Sequence, residues 1–205
     1  MKTVTGLFDT YADAQSAVTA LEEAGIPTDD ISLVSNRADG ETEDGTVTGA
    51  QAGAGLGALV GGVGGLLTGL GLMAIPGVGP VVAAGWLAAT ATGAVAGAMA
   101  GGAAGGLIGA LTSSGVSEED AHVYAEGVRR GGTVVAVKVD NDVSANRARA
   151  ILDRSNVVNP SERRQSYKQD GWMGFDEKSE PYATDQITRE RERERDRIRT
   201  RTPVM

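Results

Sequence analysis

The chain has 205 residues, 30 of them glycine, no cysteine and a formal net charge of -8. That excludes disulfides, thiolate nucleophiles and cysteine-based metal sites, and the acidic balance argues against a general nucleic-acid binder. The charge is uneven: Met1 to Asp44 holds ten acidic residues against Lys2 and Arg37, whereas the end of the chain is arginine-rich.

No apolar h-region follows Met1-Lys2-Thr3-Val4, so no secretory signal is expected. Thr3 to Phe8 suits a short strand, and Asp9-Thr10 offers helix-capping chemistry. Ala14, Ala17, Val18 and Leu21 then recur at helical spacing, and Gly25 and Pro27 stop the helix before a second strand at Ile31 to Val34. Residues 1–36 thus form one β-α-β unit, and 37–48 an acidic linker.

From Gly45 to Ser117 there is no Asp, Glu, Lys, Arg or His. Within this run Gly49, Gly53, Gly57, Gly61, Gly65 and Gly69 repeat every fourth residue, as do Gly85, Gly93, Gly97, Gly101, Gly105 and Gly109, with Ala89 completing the second series. On a helix, residues four apart lie above one another, so each ladder makes a groove that another backbone can approach. Pro76, Gly77, Gly79 and Pro80 supply a turn between the arms. A mid-helix glycine costs about 1 kcal/mol relative to alanine, so such helices require close contact along the groove or a lipid surround. Residues 49–112 are therefore expected to be a glycine-zipper helical hairpin, either inserted in a membrane or packed in an oligomer; each arm is long enough to span a bilayer.

Ser117-Glu118-Glu119-Asp120 opens a further helix over 117–131, closed by Gly131-Gly132. A second β-α-β half follows at 133–159. Its apolar residues Ala145, Ala148, Leu152 and Val157 stand at the same offsets from Asp140 as Ala14, Ala17, Leu21 and Ile26 do from Asp9. Two such halves combine into a ferredoxin-like sheet with both helices on one face. Its fourth strand is marked only by Val157 and Val158. The fold class expected is α+β, a ferredoxin-like repeat domain interrupted by the hairpin and one extra helix. Residues 160–205 read as a disordered charged tail, dispensable for folding, with arginine at odd positions from Arg189 to Arg201 alternating mostly with acids.

Chemistry is hard to find. Gly53-Ala54-Gly55-Leu56-Gly57-Ala58 and Gly69-Leu70-Gly71-Leu72-Met73-Ala74 match a loose dinucleotide fingerprint, but neither opens a β-α-β unit and no nearby acid is available to a ribose. His122 is the sole histidine and has Glu118, Glu119 and Glu126 on its helix; without a second His or any Cys it makes a poor transition-metal site. Ser113 and Ser114 lack a base at recognisable spacing. No catalytic, cofactor or metal residue is assigned, and no small-molecule ligand is identifiable.

The order of elements, with Ala74-Ile75-Pro76-Gly77-Val78-Gly79-Pro80, the run Glu118 to Gly132, the start Val4-Thr5-Gly6-Leu7-Phe8-Asp9 and the Ala148 to Arg154 stretch, resembles the bacterial general stress protein 17M-like, or heat-induced stress protein, family over about Thr3 to Asn159. The resemblance implies a stress-associated, non-enzymatic role and no catalytic residues. A cytoplasmic protein, associated with a membrane through its hairpin or forming a homo-oligomer, is the expectation; a soluble ligand-sensing module is the alternative.

Overall fold

A computed structural model describes residues 2–36, 71–90 and 106–201. Its elements are β1 (Lys2–Phe8), α1 (Tyr11–Glu23), a 3-10 turn (Thr28–Asp30), β2 (Ile31–Ser35), β3 (Gly71–Ile75), β4 (Gly79–Ala84), α2 (Gly106–Ser113), α3 (Glu118–Arg129), β5 (Thr133–Val139), α4 (Asp142–Arg154), α5 (Pro160–Gln169) and α6 (Thr184–Arg201). Five strands form one antiparallel sheet in the order β1-β5-β2-β4-β3.

The two β-α-β halves meet directly. β1 pairs with β5 along its length, from Lys2 opposite Val139 to Phe8 opposite Thr133, and β2 pairs with the other side of β5. Residues at matching offsets do the same work: Ala14, Ala17 and Leu21 of α1 and Ala145, Ala148 and Leu152 of α4 are all buried against one face of the sheet, on Val4, Phe8, Ile31, Leu33, Val135 and Val137. Each helix is capped by the polar residue before it, Thr10 accepting from Asp13 N and Asn141 from Ser144 N. The weakly marked last strand is a single bridge, Val158 to Leu7, on the outer side of β1.

The opposite face is also covered, which is why β5 is buried along nearly its whole length rather than on alternate residues. There Leu7, Val34, Val81, Val134 and Ala136 pack under Leu107 and Leu111 of α2 and Ala121, Tyr124, Ala125 and Val128 of α3.

Two expectations are corrected. The turn at Pro76, Gly77, Gly79 and Pro80 joins strands, not helices. Val78 N donates to Ile75 O at 3.1 Å, closing a turn with proline second and glycine, at φ +73°, third. Val81 and Val82 beyond it favour extended backbone, and β4 gains a partner in β2 as well as in β3. The helical expectation over 71–84 is thus overridden by sheet pairing. Gly85 is likewise no groove position: at φ +83° it turns the chain out of β4, and a Cβ there would lie 2.3 Å from Ile31 O. Gly109 lies within α2. The other ladder positions, Gly49, Gly53, Gly57, Gly61, Gly65, Gly69, Gly93, Gly97, Gly101 and Gly105, lie outside the described residues, as does the acidic linker.

The second correction is the tail. Residues 160–201 are ordered as α5, a loop and α6, with Tyr167, Phe175 and Ile187 buried. These three apolar anchors are joined by ion pairs on α5 and α6 and, along the loop between them, by bonds from Phe175 N to His122 and from Arg129 to Glu180 O.

Candidate functional site

The densest polar constellation among the described residues lies where this C-terminal strap, residues 160–201, crosses the end of α3. Glu126 faces inward on α3, with a side chain only 1% exposed, and its Oε1 accepts from Arg130 Nε at 2.7 Å. Arg129 Nη1 stands 3.6 Å from the other carboxylate oxygen. Arg130 continues outward, its Nη1 donating to Glu190 Oε2 on α6 at 3.0 Å and its guanidinium stacking 4.3 Å from the Tyr167 ring centroid on α5. Burial pulls Arg130 down, but the adjacent Glu126, through charge and hydrogen bond, outweighs it and leaves the group above its ordinary pKa.

Two further arginines complete the arrangement. Arg163 Nη2 donates to Asp9 Oδ2 at 2.8 Å, tying α5 to the end of β1. Arg191 of α6 donates to Gly131 O at 3.0 and 3.1 Å and to Asn36 O at 3.1 Å, the last described residue before the acidic linker. Burial raises the Tyr167 phenol well above its usual value, against the opposing pull of Arg163 and Arg130, so it stays neutral across the physiological range. Asp9, Arg130, Arg163, Tyr167, Glu190 and Arg191 line a recess with about 20 Å³ of free space, enough for roughly one water.

Chemically this is a latch. Its cations already face carboxylates or carbonyls, and the recess is too small for an organic substrate. Among the described residues no group of His, Asp and Glu is arranged to hold a metal ion. None of Glu126, Arg130, Arg163, Tyr167 or Arg191 stood out in the sequence. Two signals were there to be read: the Glu126–Arg130 spacing, and Asn159-Pro160 with Glu162, a helix-start pattern in which Asn159 Oδ1 accepts from Ser161 N and Glu162 N.

His122 lies farther along the strap's path. Its Nδ1 accepts from Phe175 N at 3.2 Å, and its Nε2 is 4.0 Å from Glu118 Oε1. The strap loop also covers the β3–β4 turn: a Cβ on Gly77 would meet Asp176 O at 2.8 Å, and one on Gly79 would meet Pro181 at 2.8 Å.

Residues 3–74 match the family model described as the heat induced stress protein YflT domain. The stress-protein assignment drawn from the residues therefore holds for this part of the chain, from β1 into β3; β4, α2 to α6 and β5 lie beyond the matched range. No curated protein and no solved structure matches the chain. No helix among the described residues is long and apolar enough to cross a membrane.

Proposed function

We propose that the chain is a non-enzymatic, stress-associated protein in which a ferredoxin-like domain carries charge-free, glycine-laddered segments that pack closely against a second copy. The ferredoxin-like reading rests on strand order: Val158, β1, β5 and β2 lie side by side, with α1 and α4 on one face. The β3–β4 hairpin extends that arrangement at the β2 edge.

The packing role rests on the four-residue glycine period within Gly45 to Ser117. Several glycines in one helix would cost several kcal/mol in total, which close backbone contact along the groove offsets. Assembly with a second copy is favoured over membrane insertion by the position of Pro76 to Pro80. In a transmembrane hairpin that turn would be the far end, yet here Gly77 and Gly79 abut the strap and β4 pairs with β2. A cytoplasmic location without a cofactor accompanies this reading.

Gly61→Leu and Gly97→Leu separate steric packing from hydrophobicity, since each adds apolar area while forcing apart any facing backbone. Sedimentation is expected to show a smaller assembly for both variants. Unchanged assembly in both would remove the ladder argument, and fractionation of the wild type with membranes that resist carbonate extraction would restore insertion in its place.

A further inference from the structure

The two edges of the sheet are finished differently. On the outer side of β1, Val158 N donates to Leu7 O at 2.8 Å, and Lys2 at the start of the strand pairs with Asp142. β3 forms the other edge, and among the described residues no strand pairs with its outer side. A strand edge presents N–H and C=O groups that template a further strand, and natural edges are guarded by charge, proline or a bulge. Gly71–Ile75 contains no charged residue and no proline. Its register with β4 runs unbroken from Gly71 opposite Ala83 to Ile75 opposite Gly79, so no bulge turns it away.

The sheet face beside this edge is bare as well. Ala74 and Pro80 stand opposite one another and are exposed, and Val82, two residues further along β4 on the same face, is half-buried. Ala84, next on that face, is buried in the cluster under α1 and α4. The layer beneath those helices therefore ends at Ala84, and the hairpin runs on past it.

We propose that β3 pairs edge to edge with β3 of a second copy, antiparallel about a two-fold axis normal to the sheet, joining two five-stranded sheets into one of ten. Charge selects this occupant. At a net charge of -8 two copies repel where their charged surfaces meet, whereas Gly45 to Ser117 holds no Asp, Glu, Lys, Arg or His. β3 and β4 thus offer the approach with the least repulsion, and an equally neutral strand is its match. An antiparallel pair of identical strands is also self-complementary, as a two-fold contact requires. Centred on Met73, the pairing sets Gly71 against the partner's Ile75 and leaves the bare strips of both copies on one face. It uses none of the glycine-ladder positions, so it stands or falls apart from the packing proposed above.

The chain has no cysteine, so one introduced at the symmetry centre reports on this pair alone. Directly opposed residues of antiparallel strands have Cα atoms about 4.5–5.5 Å apart, within disulfide reach. Full-length Met73→Cys is expected to give a disulfide-linked dimer on mild oxidation, and Val143→Cys, on the exposed side of α4, to stay unlinked. Ala74→Lys and Ala74→Glu each place two like charges diagonally across the axis, about 7–8 Å apart, and should each raise the dimer dissociation constant about fivefold in sedimentation. An equimolar mixture of the two should return to wild-type association, which a folding defect would not allow. Absence of the Met73→Cys dimer, wild-type association in either Ala74 variant alone, or no recovery in the mixture would overturn the proposal. So would a monomer that takes up an extended apolar peptide along β3 in place of its own copy. Smaller assemblies in Gly61→Leu and Gly97→Leu with Ala74→Lys unaffected would keep the glycine packing and remove the edge pairing; the reverse pattern would do the opposite.

Discussion

The two faces of the sheet are covered by different means. On one, α1 and α4 present alanines and leucines to valines and isoleucines, a dry layer in which α1 and α4 bury no charged residue. On the other, the apolar layer under α2 and α3 is finished at its end by a lattice of arginines and carboxylates, with Glu126 and Arg163 among its buried members. A dry layer is nondirectional and tolerates drift, whereas a buried ion pair depends on both partners being present. The repeat face is therefore held without directional contacts, and the strap face adds a defined, breakable attachment.

The strongest way to break that contrast is to remove one partner of a buried pair. Glu126→Ala leaves Arg130 facing an empty, desolvated position, and a loss of about 3–5 kcal/mol is expected in urea denaturation. Adding Arg130→Met should restore part of it, because the guanidinium that lost its buried partner is then gone. If the double variant is no better than Glu126→Ala alone, the arginine's contacts to Glu190 and Tyr167 matter more than its pairing with Glu126.

On the dry face the comparable change is Leu152→Ala. Leu152 is 2% exposed and packs where both repeat helices meet the sheet, so the loss should be about 2–5 kcal/mol, its size set by how far α4 collapses into the gap. The same change at Leu21, its counterpart by offset, should cost a similar amount. A difference beyond about 2 kcal/mol between them would mean that the halves, though matched in spacing, are not matched in packing.

Removal of residues 160–205 comes next. Tyr167, Phe175 and Ile187 would lose their burial, worth roughly 1.5–3 kcal/mol each before the entropy of ordering the strap is set against it. A net loss of about 2–3 kcal/mol, or roughly 5–10 °C in melting temperature, is expected. This reverses what composition alone suggested.

That reversal shows what was legible and what was not. The repeat could be read because Ala14, Ala17 and Leu21 recur as Ala145, Ala148 and Leu152, and periodic apolar burial writes itself into spacing. α3 could be read from Ser117 and its acids. The β3–β4 hairpin could not, because the charge-free apolar residues on either side of the Pro76 to Pro80 turn suit helix and strand alike, and only pairing with β2 decides between them. Nor could the strap: its anchors are single residues far apart, and the partners of its charged side chains, Asp9 for Arg163, Arg130 for Glu190 and Gly131 for Arg191, are distant in sequence. Long-range ion pairs leave no period. The charge alternation from Arg189 onward read as solvated, which holds for only part of that helix.

The smallest expected effect tests that last distinction. Asp185 and Glu190 lie on the same helix, five residues apart in sequence, and each pairs with an arginine. Asp185 pairs with Arg189 within the helix, with side chains 65% and 64% exposed, so the pair is screened and costs ordering entropy. Arg189 also keeps a bond from Nε to Asp185 O at 3.1 Å, which substitution of the carboxylate does not remove. Asp185→Ala should therefore change stability by no more than about 0.5 kcal/mol, with the first-turn charge adding only a few tenths at low salt. Glu190→Ala, whose carboxylate is 12% exposed and meets Arg130, should cost about 1–3 kcal/mol in the same assay. Equal effects at the two positions would mean that α6 is held by its general charge pattern, and the latch at Arg130 would lose its special place.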